Sequence, residues 1–182
     1  MKVFVFLAEG FEEIEAVATI DILRRGDLDV TTVSITGKNA VNGAHNISVV
    51  ADQLFEEANF ESGQMLVLPG GMPGAKNLNE HEGLKSLIKQ YVSENKKIAA
   101  ICAAPLVFGG LNLLQGKKAT AYPGFEDTLL GASYVNDKVV QDSNIITGKG
   151  PGLTFDFGLA IVAELQGQAK ADEVARGMLL KD

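Results

Sequence analysis

The chain has 182 residues, of which 46% are hydrophobic and 21% charged, with a formal net charge of −7; this predicts one domain over 1–182 with a substantial core. The acidic balance argues against nucleic acid or an anionic membrane as the main partner, and a single cysteine, Cys102, excludes an internal disulfide framework. No stretch approaches the roughly 20 apolar residues of a membrane helix, and acidic residues follow the short apolar run of "MKVFVFLAEGFEEIEAV" too closely for a secretory signal, so the cytoplasm is the expected location.

In chain order, "KVFVFLA" (2–8) reads as a buried strand and "FEEIEAVATIDILRR" (11–25) as a helix stopped by Gly26. "DVTTVSIT" (29–36) and "NISVVAD" (46–52) read as strands joined by the turn-rich "GKNAVNGAH". "QMLVLPGG" (64–71) is a strand ending in glycines, "EGLKSLIKQYVSEN" (82–95) a helix, and "KIAAIC" (97–102) another strand. "PLVFGGLNLL" (105–114) is a helix stopped near Gly116, followed by a short helical piece, a hairpin through "YVNDKVVQDSNIITG" and a long final helix from about Thr154. Alternating strands and helices with continuous apolar strands predict an α/β fold, a doubly wound and mostly parallel sheet sandwiched by helices. Its functional crevice lies beyond the carboxyl ends of the strands, which directs attention to loops 8–11, 69–76, 102–105 and 148–154.

Cys102 stands at one such strand end. Ala103 and Ala104 permit a tight strand-to-helix turn, and Pro105 suits a first helical position. A nucleophile elbow has this logic, and N–H groups at a helix start favour a thiolate; a buried structural cysteine is the competing reading. On the first helix Phe11, Glu15, Ala18 and Ile22 share one face, so Glu15 interrupts an apolar stripe while Glu12 and Glu13 lie off it and can be solvated. A carboxyl group there must be neutral, paired or hydrogen-bonded, and a protonated Glu15 would donate to the cysteine sulfur. Gly70 and Gly71 in "LPGGMPGA" allow close backbone approach to a ligand. "GKGPG" (148–152) lacks the Lys-Ser/Thr end of a phosphate loop, and Thr154 reads as a helix cap. Two histidines and one cysteine form no zinc-ligand cluster at the usual spacing, so no metal is expected. His81 reads as a solvated surface residue, and His45 lies in a glycine-bearing loop with no role legible in the sequence.

The blocks "LAEGFEEIEAVATIDILRR", "LVLPGGMPGAKNL", "IAAICAAP" and "GKGPGLTFDFGLAIVAEL" together resemble the ThiJ/PfpI superfamily, in particular the branch of the Parkinson-associated deglycase and its bacterial YajL-type relatives. The resemblance runs over essentially the whole chain. It implies a flavodoxin-like sandwich, a homodimer and no cofactor. It further implies that Cys102 is the nucleophile, that Glu15 bonds its sulfur, and that the Gly71 and Ala103 N–H groups lie beside it. Arg25, Tyr122, Gly70 and Pro151 are further candidate binding residues, Arg25 at a position the family uses near the dimer contact. Tyr122, in "AYPG", stands where the branch has a histidine, and a phenol does not exchange protons near neutral pH as imidazole does. Ala103 stands where the peptidase branch has a histidine, which argues against peptidase activity, and His45 replaces an arginine of the dimer contact. Two functions are therefore expected: a cysteine-dependent enzyme acting on a small-molecule carbonyl, of glyoxalase or deglycase type, or a redox sensor or chaperone whose Cys102 meets an oxidant and becomes a sulfinate.

Overall fold

A computed structural model describes residues 1–182. The strands are β1 (Lys2–Leu7), β2 (Asp29–Ser34), β3 (Ala40–Asn42), β4 (Ser48–Val50), β5 (Gln53–Leu54), β6 (Gly63–Leu68), β7 (Lys97–Ile101), β8 (Lys118–Ala119), β9 (Ser133–Tyr134), β10 (Val139–Asp142) and β11 (Ile145–Gly148). The helices are α1 (Glu13–Arg25), α2 (Gly74–Glu80), α3 (Glu82–Ser93), α4 (Pro105–Gly110), α5 (Thr154–Gln166) and α6 (Gln168–Gly177).

Seven strands form the main sheet in the order β10-β11-β7-β6-β1-β2-β5. All neighbours are parallel except β10 with β11. The apolar runs make this arrangement stable: Val3 to Leu7 and Ile98 to Ile101 have no exposed surface, as strands covered on both faces require. From β1 the chain moves outward through α1 to β2, then returns to β6 on the other side of β1. Right-handed crossovers in opposite directions place α1 and α3 on opposite faces and open a crevice at the carboxyl ends of β1 and β6. α5 packs on both α1 and α6, and α3 packs on β7.

The structure corrects several boundaries. The strand expected over 46–52 is reduced to β4, which pairs antiparallel with β3 from the segment read as a turn. This hairpin stands outside the main sheet, and β5 supplies the edge instead. Residues 74–80 form a helix that "PGAKNLNE", with its proline and glycine, did not signal. α4 ends at Gly110, four residues early, because the chain turns through Asn112 at φ 57°. The long final helix is two, broken at Gly167, whose φ of 91° no continuous helix accommodates. Gly26 does end α1, but with an ordinary φ of −78°. The left-handed residue is Asp27, and glycine is needed at 26 because a Cβ would lie 2.8 Å from Val162 of α5.

Candidate functional site

Cys102 follows β7 directly and adopts φ 64°, a left-handed conformation that costs a non-glycine residue about 1–3 kcal/mol. Two backbone hydrogen bonds hold it there: its N–H donates to Gly148 O (2.9 Å), and its carbonyl accepts from Tyr122 N–H (2.9 Å). Ala104 N–H closes the turn onto Ile101 O (3.0 Å), and Pro105 opens α4. The thiol is therefore held at a sharp corner, 8% exposed, rather than packed inside a strand.

Glu15 reaches this corner from α1 and is fully buried. Phe11 lies before the helix, in a bridge to Gly43, and Ala18 is only half-buried; the face turned inward carries Glu15, Ala16, Thr19, Ile22 and Leu23. Glu12 caps the helix by accepting from Glu15 N–H (2.7 Å), and its own N–H donates to Gly70 O (3.0 Å). Glu15 Oε2 accepts from Gly70 N–H at 2.8 Å, whereas Oε1 is buried without a protein partner. A Cβ on Gly70 would lie 2.7 Å from Glu15 Oε2 and 2.8 Å from Cys102 Cβ, so carboxyl and cysteine converge on one point that only glycine leaves open.

The electrostatics follow from burial and shared hydrogen bonds. Burial pushes Glu15 up to about 7, against the hydrogen bonds from Cys102 and Gly70. Burial also pushes the Cys102 thiol up to about 12, with the Glu15 charge and hydrogen bond adding to the rise and the Gly71 and Ala103 N–H groups opposing it. A thiol simply depressed by the helix start is therefore not what the structure shows. Both groups are thus held toward their protonated forms, and two acids in contact lose their protons as a pair, the second against the charge already present. After the first ionisation one proton remains, shared between the two. An unpartnered buried carboxylate oxygen is costly, and a proton on Oε1 turned toward the sulfur removes that cost while two N–H groups steady the thiolate.

The other sequence candidates separate. Tyr122 (45% exposed) and Pro151 line a cavity together with Lys149 and Gly150. Arg25 does not reach the cysteine: it lies at the far end of α1, paired with Asp21 (2.7 Å). Thr154 is buried as the first residue of α5 and donates to Pro151 O (2.8 Å), so it is not the cap. His81 is half-buried rather than solvated, accepts from Leu84 N–H (3.0 Å) to cap α3, and packs edge-on against Phe55.

Glu13, expected in solvent, is buried and accepts from the His45 N–H (2.6 Å) and from the His45 ring Nδ1 (2.8 Å). These bonds tie the β3–β4 hairpin to α1. Glu12, Glu13 and His45 bring potential ligand atoms within 4.8 Å of one another, a grouping invisible in the sequence, yet each is already engaged by the protein. Although burial opposes it, hydrogen bonding from His45 leaves Glu13 lowered, and the carboxylate in turn raises His45 above 6.5. The pair therefore holds the hairpin between the two ionisations. Its contribution is lost as pH falls through the lowered Glu13 value or rises through the raised His45 value. An NMR titration is expected to place His45 above 6.5 and to return it to the ordinary value in Glu13→Gln; an unmoved His45 would refute the coupling.

The family model described as DJ-1/PfpI family matches residues 1–164. Protein DJ-1 homolog A of Arabidopsis thaliana is 41% identical over 98% of this chain, which spans only 46% of that protein's length. The glutathione-independent glyoxalase DJR-1.2 of Caenorhabditis elegans is 32% identical over 94% of this chain and 92% of its own. The solved structure of oxidized DJ-1 from Toxoplasma gondii superposes with a TM-score of 0.94 at 35% identity, covering 98% of this chain and 97% of that one.

Proposed function

The chain belongs to the DJ-1/PfpI family, and from that premise we propose that it is a cofactor-free, cysteine-dependent enzyme of glyoxalase or deglycase type acting on reactive small-molecule carbonyls. The observation that carries this reading is the meeting of Cys102 and Glu15 at the elbow, with one oxygen of Glu15 unpartnered. With methylglyoxal, the sulfur adds to the aldehyde carbon, and the electron pair of the C=O bond moves to oxygen. The N–H groups of Gly71 and Ala103 offset that charge, and the Glu15 proton neutralises it. The resulting carboxylate then moves a proton from the former aldehyde carbon to the neighbouring carbon, while the hemithioacetal hydroxyl proton passes to the ketone oxygen. The thioester left behind takes up water to give lactate and the free thiol, so methylglyoxal plus water accounts for the product. Such chemistry at an elbow cysteine needs no metal. Similarity to the nematode glyoxalase supports the substrate class.

Incubation with methylglyoxal should yield lactate, and Cys102→Ser should abolish it. Lactate formation surviving in the serine variant would overturn the reading.

The unpartnered Glu15 Oε1 also favours a second reading, in which the protein is a redox-responsive stress protein or chaperone. A sulfinate on Cys102 would place an oxygen where that carboxyl group could donate to it. Peroxide treatment followed by intact mass should then stop at two added oxygens, whereas runaway addition would refute it.

A homodimer belongs to the same proposal. Ile14, Val17, Ile47 and Phe155 are exposed apolar residues bordering a cavity of about 580 Å3, with Asp21, the partner of Arg25, at its edge. Such a face needs cover, and two-fold closure is the commonest way to provide it. Sedimentation at micromolar concentration should give a dimer that Val17→Glu converts to monomer; a monomeric wild type would reject it.

A further inference from the structure

His81 stands between neighbours that require a neutral ring and neighbours that favour a charged one. It joins α2 to α3, ending the first helix and capping the second. Its Nδ1 accepts from Leu84 N–H at 3.0 Å. A ring nitrogen that accepts carries no proton, so the capping ring is the neutral tautomer with its hydrogen on Nε2. The positive end of the α3 dipole favours the same uncharged state.

The remaining surroundings are acidic. His81 lines a cavity of about 320 Å3 with Glu9, Thr36, Asn77 and Glu80, and no lysine or arginine is among the lining residues. Glu9 comes from the loop after β1, where its carboxylate accepts one long bond from Asn42 N–H (3.3 Å). Glu80 ends α2 and has the exposed Lys76 at 3.7 Å. On α3 the charges of Glu82 and Lys85 offset each other in a pair (2.7 Å). From the turn after β5, Phe55 meets the ring edge-on at 4.6 Å, and the adjoining Glu56 and Glu57 are exposed. Gly83 leaves the ring room to turn, since a Cβ there would lie 3.2 Å from His81 Cε1 and 2.8 Å from Phe55 Cε1.

We propose that His81 is a pH-sensitive helix cap: on protonation the ring releases Leu84 N–H, turns into the cavity toward Glu9 and Glu80, and lets the first turn of α3 fray. A proton on Nδ1 would face the hydrogen of Leu84 N–H, so the cap and the charged ring exclude each other. Without the cap, the first-turn N–H groups of α3 lose an acceptor that the helix itself does not supply. The uptake of one proton is the only chemical change, and the two ring positions are the two states it selects between.

Hydrogen exchange at Leu84 N–H, corrected for the intrinsic effect of pH and followed with the His81 ring nitrogen shifts by NMR, tests this directly. Protection of Leu84 is expected to fall about fivefold as the ring protonates, the worth of a typical cap, while Ile88 N–H deeper in the helix keeps its protection. His81→Asn caps without titrating and should stay protected across the range, whereas His81→Ala should be unprotected throughout. Glu9→Gln combined with Glu80→Gln should require more acid for the same loss. A neutral ring with its proton on Nδ1 would overturn the proposal, as would Leu84 protection that ignores the His81 titration. So would a loss shared equally by Ile88, or a transition unmoved by removal of both carboxylates.

Discussion

Gly71→Ala is expected to lower stability by about 3–5 kcal/mol, a loss reserved for a few structural mechanisms. Gly71 has φ 88°, and a Cβ would lie 2.4 Å from Glu12 N, 2.7 Å from Gly10 O and 2.8 Å from the Phe11 carbonyl carbon. All three are backbone atoms, so no side chain can swing aside. The loop after β6 would have to move away from the loop after β1, carrying with it the N–H that faces the Cys102 sulfur. Gly37 is the control: its φ is 74°, but nothing lies within 4 Å of a Cβ there. Gly37→Ala should therefore cost only the conformational term, about 1 kcal/mol. Urea unfolding measures both, and equal losses would show that the packing of the two loops is not what Gly71 protects.

Glu15→Gln is expected to reduce carbonyl turnover by about 10²–10⁴, the range for removal of a general acid or base. The amide still accepts from Gly70 N–H and can still face the sulfur, so alkylation of Cys102 should persist while lactate formation collapses. Parallel loss of both would mean that Glu15 only shapes the site. In the wild type the rate should follow an ionisation of the pair raised above the ordinary carboxylate range, which the amide removes.

The same variant changes the pH dependence of stability. Glu15 is held near 7 in the folded protein against 4.5 for the free group. The folded state therefore binds its proton more tightly, and the resulting stabilisation is complete below 4.5 and lost as pH rises through 7. A difference of that size corresponds to on the order of 3 kcal/mol. Relative to Glu15→Gln, the wild type should weaken by this order between pH 4.5 and 8, and superimposable profiles would refute the burial of an ionisable Glu15. Glu15→Leu should change stability little at low pH and raise it above neutrality, since an apolar residue suits the buried face, less the cost of leaving Gly70 N–H without an acceptor.

The sequence by itself determined the layers of this protein. Continuous apolar runs such as Val3 to Leu7 can only be strands covered on both faces, and their alternation with helices makes the sheet parallel. The elbow was legible as one of two readings for a local reason, since Ala103, Ala104 and Pro105 permit a tight strand-to-helix turn after Cys102, while a buried structural cysteine fitted the same residues. Glu15 was legible as a polar residue on an apolar face, although the helix begins at Glu13 and not at Phe11 and the buried face widens to Ala16, Thr19 and Leu23. Only the tertiary structure decided the rest. The β3–β4 hairpin depends on pairing outside the sheet, and the burial of Glu13 on an imidazole 32 residues away. The joint titration of Glu15 and Cys102 depends on two side chains meeting over Gly70. These features arise between residues distant in the chain, where periodicity carries no information and distance, burial and the hydrogen-bond partners left over decide the chemistry.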